Sequence, residues 1–248
     1  MCGIAGILEF NNSHPNDLVI RKMTRALAHR GPDAEGTWIE NKIALGHRRL
    51  SIIDLSSAAN QPFTDNSGRY IIAFNGEIYN YNEVKSQLYG YAFKTTSDTE
   101  VIVAAYAKWG AHCLDHFKGM FAFAIWDRQQ KELFIARDRL GVKPLYYYID
   151  DKHLIFASEV RAILASGLVK KTLNKQALTE YFTYQSVTSP LSIIEGIQQL
   201  EAGCYLTVKN SRLTINRYRK VSDYASRNDY SNSAIIKRNI FQLLGKSV

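Results

Sequence analysis

The sequence predicts an α+β layered sandwich, and three observations carry that reading. Strand-like runs are mostly separated by short turns rather than by helices, which favours antiparallel sheets. "MFAFAIWD", "KELFIARD", "PLYYYID" and "HLIFASE" follow one another at regular spacing. "FAFAIWD" is apolar on both faces, with Phe121, Phe123 and Ile125 pointing one way and Ala122, Ala124 and Trp126 the other. Such a strand needs cover on both sides, and the amphipathic helical runs supply outer layers.

The elements follow in order. "CGIAGILEF" reads as a strand. "DLVIRKMTRALAH", residues 17–29, places Val19, Met23, Ala26 and Leu27 on one helical stripe, and the turn chemistry of "HRGPDAEG" stops it. "GTWIE", "IALGH" and "LSIIDL" are short strand-like runs. "RYIIAFNGEIYN" is a strong strand that is expected to enter a turn at Asn75-Gly76. "TTSDTEVIVAAYAKWG" is a helix with Ser97 and Glu100 at capping-box spacing and Gly110 closing it. "SEVRAILAS" and "NKQALTEYFTY" are further helical runs, and "GCYLTVKNSRLTINRY" has a hairpin pattern about Asn210-Ser211. "SAIIKRNIFQLLGKSV" places Ile236, Ile240, Leu243 and Leu244 on one stripe. That stripe either docks on the body or belongs to a second domain, and the charge shift at Lys209 favours the second; "VSDYASRNDYSNS" before it has linker composition.

Composition excludes several function classes. At 248 residues and 46% apolar, the chain can bury a large core and is not disordered. The net charge of +8 is uneven: residues 209–248 hold nine Lys/Arg against Asp223 and Asp229, which leaves about +1 for the body. A basic tail on a near-neutral body is not the footprint of a nucleic-acid binder. No run is long enough to span a membrane, and nothing reads as a signal peptide. Cys2, Cys113 and Cys204 form neither a disulfide framework nor a metal-ligand pattern, which fits a reducing cytoplasm.

The terminus carries the chemistry. A thiol near pKa 8.5 is only a few per cent ionised at neutral pH and needs a base beside it. If Met1 is removed, Cys2 holds both nucleophile and base on one residue, since its own α-amine titrates near 8. Attack on an amide creates an oxyanion that needs fixed donors. Asn75 and Gly76 offer a side-chain amide and an unhindered N–H. Arg49 is placed to pair a substrate carboxylate, and Asp98 either holds an ammonium or caps its helix.

These pieces stand together in a recognisable order. "CGIAGI" after Met1, "HRGPD", "HRRLSIIDL", "FNGEIYN", "TSDTE", "GMFAFAIWD" and "ARDRLGVKPLYY" resemble the class II glutamine amidotransferases, nearest to the N-terminal glutaminase domain of the glutamine-hydrolysing asparagine synthetases. The resemblance implies the N-terminal-nucleophile hydrolase fold, a four-layer αββα sandwich of two antiparallel sheets. It implies a glutaminase domain over residues 2–215, with residues 216–248 as the linker and first helix of a C-terminal synthetase domain. In the implied site, Cys2 is the nucleophile, Asn75 and Gly76 form the oxyanion hole, Arg49 binds the glutamine α-carboxylate, and Glu77 and Asp98 hold its ammonium. The strand backbone at Leu50, Ser51, Ile52 and Ile53 is expected to line the pocket.

The implied reaction passes through a γ-glutamyl thioester and uses no metal or cofactor. Ammonia would pass to the synthetase domain, which would use ATP and Mg to amidate aspartate; a related acceptor such as a sugar acid is the alternative. A retained Met1 would instead favour a silent binding module. Glutamine, the synthetase domain and a homodimer partner are the implied associations, with neither nucleic acid nor membrane. "HRGPD" either orders the pocket or is plain turn. Arg137, Asp138, Arg139 and Lys143 are expected to form an ion-pair network, and His29, His47, Cys113 and Cys204 to be structural.

Overall fold

Local sequence preferences become twelve strands and seven α-helices among the described residues of the computed structural model, which are 1–11, 13–224 and 233–247. In chain order they are β1 (Gly3–Glu9), α1 (Asp17–Arg25), β2 (Ala34–Glu40), β3 (Ile43–Arg49), β4 (Phe63–Thr64), β5 (Tyr70–Ile78), α2 (Tyr81–Ser86), α3 (Asp98–Trp109), α4 (Cys113–His116), β6 (Gly119–Asp127), β7 (Glu132–Arg137), β8 (Tyr146–Ile149), β9 (His153–Ala157), α5 (Val160–Ala165), α6 (Lys175–Tyr184), β10 (Ile197–Gln199), β11 (Cys204–Lys209), β12 (Arg212–Arg217) and α7 (Ser233–Ser247). They build two six-stranded sheets, ordered β10-β8-β9-β1-β3-β2 and β12-β11-β7-β6-β5-β4. The assigned strand pairs are antiparallel.

Three apolar layers hold the sandwich. Between the sheets, Ile4, Leu8, Ile43 and Leu45 of the first meet Ala122, Ala124, Trp126 and Ile135 of the second. Outside the second sheet, Phe74, Phe121, Phe123 and Phe134 pack under Val101, Ile102 and Ala105 of α3. Outside the first, Ala5, Ile7 and Ala157 pack under Ile20 and Met23 of α1 and Ala162 and Ile163 of α5. The order is therefore helix, sheet, sheet, helix, and β6 contributes one face to each of two cores, as its double apolar pattern requires.

Several expected elements end elsewhere. α1 stops at Arg25, four residues short, and buries Ile20, Met23 and Thr24 with Leu27 beyond its end, while Val19 and Ala26 lie at its margin. "LSIIDL" is not a strand: β3 ends at Arg49 and residues 50–55 turn away as a loop. Asn75-Gly76 is not a turn either. Both lie inside β5, opposite Ala122 and Phe121 of β6. A Cβ on Gly76 would come within 2.3 Å of the Met120 carbonyl, so the glycine admits the neighbouring strand rather than bending the chain. The Asn210-Ser211 hairpin is present with a two-residue turn, both residues at positive φ. On α7, Ile240, Leu243 and Leu244 are exposed and Ile236 is half-buried. Most of the linker-like stretch before α7 lies outside the described residues.

Candidate active site

The site forms where three strand ends and one helix start converge. β1 delivers Cys2, β3 ends at Arg49, β5 carries Asn75 and Gly76 through its second half, and α3 begins at Asp98. A cavity of about 140 Å³ opens between them, walled by Cys2, Arg49, Leu50, Ile52, Ile53, Asn75, Gly76, Glu77 and Asp98. Ser51 is the one residue of the expected set outside this wall. Its N–H is turned to the Asp33 carboxylate at 2.8 Å instead. Residues 50–53 line the cavity as a loop rather than as strand backbone.

Cys2 lies against the backbone of Leu50, which donates its N–H to Sγ at 3.4 Å while its carbonyl oxygen lies 3.6 Å from the same sulfur. Burial pushes the thiol up, and the Leu50 N–H, the terminal amine and the Arg49 charge pull the other way. The Arg30 Nε donates to the Cys2 carbonyl at 2.8 Å, and Arg30 is itself held by Glu159 at 2.9 Å. The turn containing Arg30 is therefore more than a helix stop. Gly31 packs so tightly on β3 that a Cβ would meet the Arg48 carbonyl carbon at 2.4 Å. "HRGPD" thus fixes both Cys2 and the start of the loop at Ser51.

Asn75 is 1% exposed, and neither its Nδ2 nor its Oδ1 has a hydrogen-bond partner. A buried amide with both ends unpaired is costly, and it marks a donor and acceptor held ready for something that enters the cavity. Behind it, His47 of β3 donates from Nε2 to the Phe74 carbonyl at 2.9 Å. Burial lowers the His47 pKa to about 4, so the ring is neutral, and its Nδ1 is unpaired. His47 is structural, as expected, yet its place is beside the site.

Arg49 is buried and held along its own loop: its guanidinium donates to the Ser56 carbonyl and the Asn60 side chain, both at 2.8 Å, and to the Asp54 carbonyl. Asp98 does not cap α3. Ser97 does, accepting from the Thr99 N–H. The capping box is only half built, because Glu100 turns back to the N–H groups of Lys94 and Thr95 rather than to Ser97. Asp98 is left to accept from the Ile78 N–H at 3.0 Å at the end of β5. Burial raises its pKa to about 6, against the hydrogen bonds that lower it. The cavity therefore has a cation and a poised anion at its walls, a thiol, and an unpaired amide.

Sequence reasoning passed over two residues here, Asp54 and Gln61, and gave a third, Lys143, another role. Asp54 ties the 50–60 loop to the Thr96 N–H and hydroxyl at 3.1 Å, and the bonds it accepts, those from Ser56 above all, hold its pKa near 2. Gln61 joins the Phe74 N–H at 2.6 Å to the Thr99 hydroxyl at 3.1 Å. Lys143 lines the cavity instead of joining an ion-pair network. Asp138 accepts backbone N–H groups from Phe121, Leu140, Val142 and Lys143, and Arg137 donates to the carbonyls of Lys143, Leu200 and Gly141. The charges on "ARDRLGVK" mostly satisfy turns, a use that spacing alone does not separate from ion pairing.

The comparisons agree with this geometry. A family model described as a glutamine amidotransferase domain matches residues 1–219. The chain is 36% identical over 248 residues to a glutamine-hydrolyzing asparagine synthetase 3 of Bacillus subtilis (strain 168), which covers 98% of this chain and 40% of that relative. It is 41% identical over 238 residues to a putative glutamine-hydrolyzing asparagine synthetase 2 of Methanocaldococcus jannaschii, covering 88% of this chain and 46% of that one. The chain spans less than half the length of these curated relatives. Its fold matches the glutamine phosphoribosylpyrophosphate amidotransferase of B. subtilis, solved with ADP and GMP, at a TM-score of 0.65 and 21% identity over 88% of this chain and 49% of that one. A sandwich of two antiparallel sheets between helices, a thiol at the mouth of β1 and a family match over residues 1–219 converge on one conclusion: the chain belongs to the glutamine amidotransferase domain family.

Proposed function

We propose that this chain is a glutaminase unit that releases ammonia from glutamine for an attached synthetase. The observation that carries the reading is the unpaired buried amide of Asn75 in the same cavity wall as the Cys2 thiol. Once Met1 is removed, the Cys2 thiol passes its proton to its own α-amine, and the sulfur attacks the glutamine carboxamide carbon. Asn75 Nδ2–H and the Gly76 N–H donate to the oxyanion. The protonated amine returns its proton to the departing nitrogen, the C–N bond breaks and ammonia leaves, and a γ-glutamyl thioester remains on Cys2. Water then attacks the thioester, with the amine again taking the proton; the C–S bond breaks, the amine returns that proton to the Cys2 sulfur, and glutamate leaves.

Arg49 pairs the glutamine α-carboxylate, Glu77 and Asp98 pair its ammonium, and Leu50, Ile52 and Ile53 flank the side chain. No step written here uses a metal or cofactor. Residues 2–215 form the glutaminase domain, and residues 216–248 lead into the synthetase domain. The names of the relatives, glutamine-hydrolyzing asparagine synthetases, support aspartate as the acceptor that this domain would amidate; ATP and Mg for that step are what the family resemblance implies, and a sugar-acid or other carboxylate acceptor is the second reading. No helix among the described residues is long and apolar enough to cross a membrane. The three free cysteines, Cys2, Cys113 and Cys204, support a cytoplasmic location. Intact mass and a glutamate-release assay test the core of the proposal. Met1 is expected to be absent, and Cys2→Ala to abolish release. Unchanged release from Cys2→Ala, or a mature chain that keeps Met1, overturns it.

A further inference from the structure

We propose that Lys143 acts as a positioning residue that, with Arg30, keeps the α-amino group of processed Cys2 in its neutral, proton-accepting form. The inference rests on the glutaminase reading and adds a group that the reading does not use.

The observations are geometric. Lys143 is 4% exposed, and its Nζ lies 3.5 Å from the Met1 sulfur. An Arg30 guanidinium nitrogen reaches the same sulfur at 4.0 Å. Two cations from separate loops therefore flank the leading residue. Arg30 is compensated by Glu159, which also takes His29 at 3.0 Å. Among the described residues no carboxylate lies within ion-pairing distance of Lys143. Asp138, nearest in the chain, spends its oxygens on backbone N–H groups. The remaining charges facing Cys2 and Lys143 are Arg49 of β3, Glu77 of β5 and Asp98 of α3. A buried lysine with no counter-charge is expensive unless its charge is used.

Loss of Met1 removes the sulfur that Lys143 contacts and makes Cys2, whose charge Lys143 already feels, the new terminus. A free α-amine titrates near 7.7–8.0 and is mostly protonated at neutral pH. A neighbouring ammonium disfavours a second positive charge, so the amine pKa falls, and the neutral base that the chemistry needs becomes the dominant form. The same charge favours the Cys2 thiolate. Only one proton moves: the S–H bond breaks, an N–H bond forms, and Lys143 neither gains nor loses a proton.

The test has two arms, both on the full chain. In the first, the α-amine of Cys2→Ala protein is acylated by acetic anhydride across pH, with and without Lys143→Met, and the N-terminal peptide is read by mass spectrometry. This arm needs no glutaminase activity. Lys143→Met is expected to raise the α-amine pKa by roughly one pH unit. In the second arm, with Cys2 intact, the acidic limb of kcat/KM for glutamate release is expected to move up by a similar amount in Lys143→Met and to return in Lys143→Arg. Lys143→Gln is the second neutral replacement, and thermal melts separate misfolding from titration. Equal α-amine titration with and without the lysine overturns the inference, as does a terminus that keeps its methionine. A shifted amine in a protein that never releases glutamate would instead overturn the glutaminase reading alone.

Discussion

His47 Nε2 lies 2.9 Å from the Phe74 carbonyl oxygen and ties the two sheets together one residue before Asn75. The bond is buried and its donor is a neutral ring, so it sets the height of β5 at the point where the unpaired amide faces the cavity. Removing the donor with His47→Leu leaves the Phe74 carbonyl without this partner and is expected to cost about 1–3 kcal/mol. Chemical denaturation measures that loss. Glutamate release is expected to lose kcat more than it gains KM, because the amide shifts while Arg49 and Asp98 stay.

Arg49→Ala is expected to raise the KM for glutamine by at least an order of magnitude, since a charge-assisted pair to the substrate is worth roughly 1.5–3 kcal/mol. The 50–60 loop, which hangs on the Arg49 guanidinium at Asp54, Ser56 and Asn60, is expected to become more accessible to protease. An unchanged KM removes Arg49 from the proposed substrate contacts.

Asp98 and His47 titrate with opposite consequences. The Asp98 pKa stands near 6 in the fold against an ordinary 3.8, so its protonated form is preferred when folded. Its contribution is favourable at low pH and is lost as pH rises from about 4 through 6, amounting to about 3 kcal/mol. The His47 pKa is near 4 against 6.5, so its contribution is present above 6.5 and lost as pH falls toward 4, by a similar amount. The two slopes oppose each other over the pH range they share, between about 4 and 6. Asp98→Asn is expected to raise the midpoint of thermal unfolding at pH 7 while weakening glutamine binding, and His47→Gln to flatten the acid-side loss. Melts across pH 4–7 check both signs.

Gly76→Ala places a methyl group 2.3 Å from the Met120 carbonyl and 2.7 Å from the Phe121 Cα. Backbone cannot yield there as a flexible side chain would, and the substitution is expected to cost on the order of 1–3 kcal/mol or more. It should also abolish glutamate release. A melt at the wild-type temperature would show that β5 and β6 can separate more easily than the packing implies.

The layered fold was legible because β6 states its needs on two faces, and the Asn210-Ser211 hairpin because a two-residue turn fixes both strand registers. The candidate site residues other than Ser51 gather in one cavity wall, yet three local readings failed. Asn-Gly is a turn signal in isolation, but Gly76 is required by a neighbouring strand at close range, which a linear pattern does not reveal. "LSIIDL" is strand-like in composition, but Asp33 and Arg49 hold its backbone and the Asp54 carboxylate ties it to the Thr96 N–H. Lys143 was assigned to an ion-pair network with Arg137, Asp138 and Arg139; Asp138, the one acid of that group, instead accepts N–H groups of the turn. Long-range hydrogen bonds to backbone are what the sequence reading lacked.

β1 has one further consequence. Its seven residues are all buried and are paired on both sides, with Gly3 opposite Arg48 and Ala5 opposite Ala157. The chain therefore cannot slide to accommodate anything added ahead of Cys2. An affinity tag or fusion partner at the amino end would leave its last residue at the cavity mouth, where Met1 now sits, and would keep the amine locked in an amide. Recombinant preparations are best handled from the carboxyl end, or through a cleavage site that leaves cysteine first.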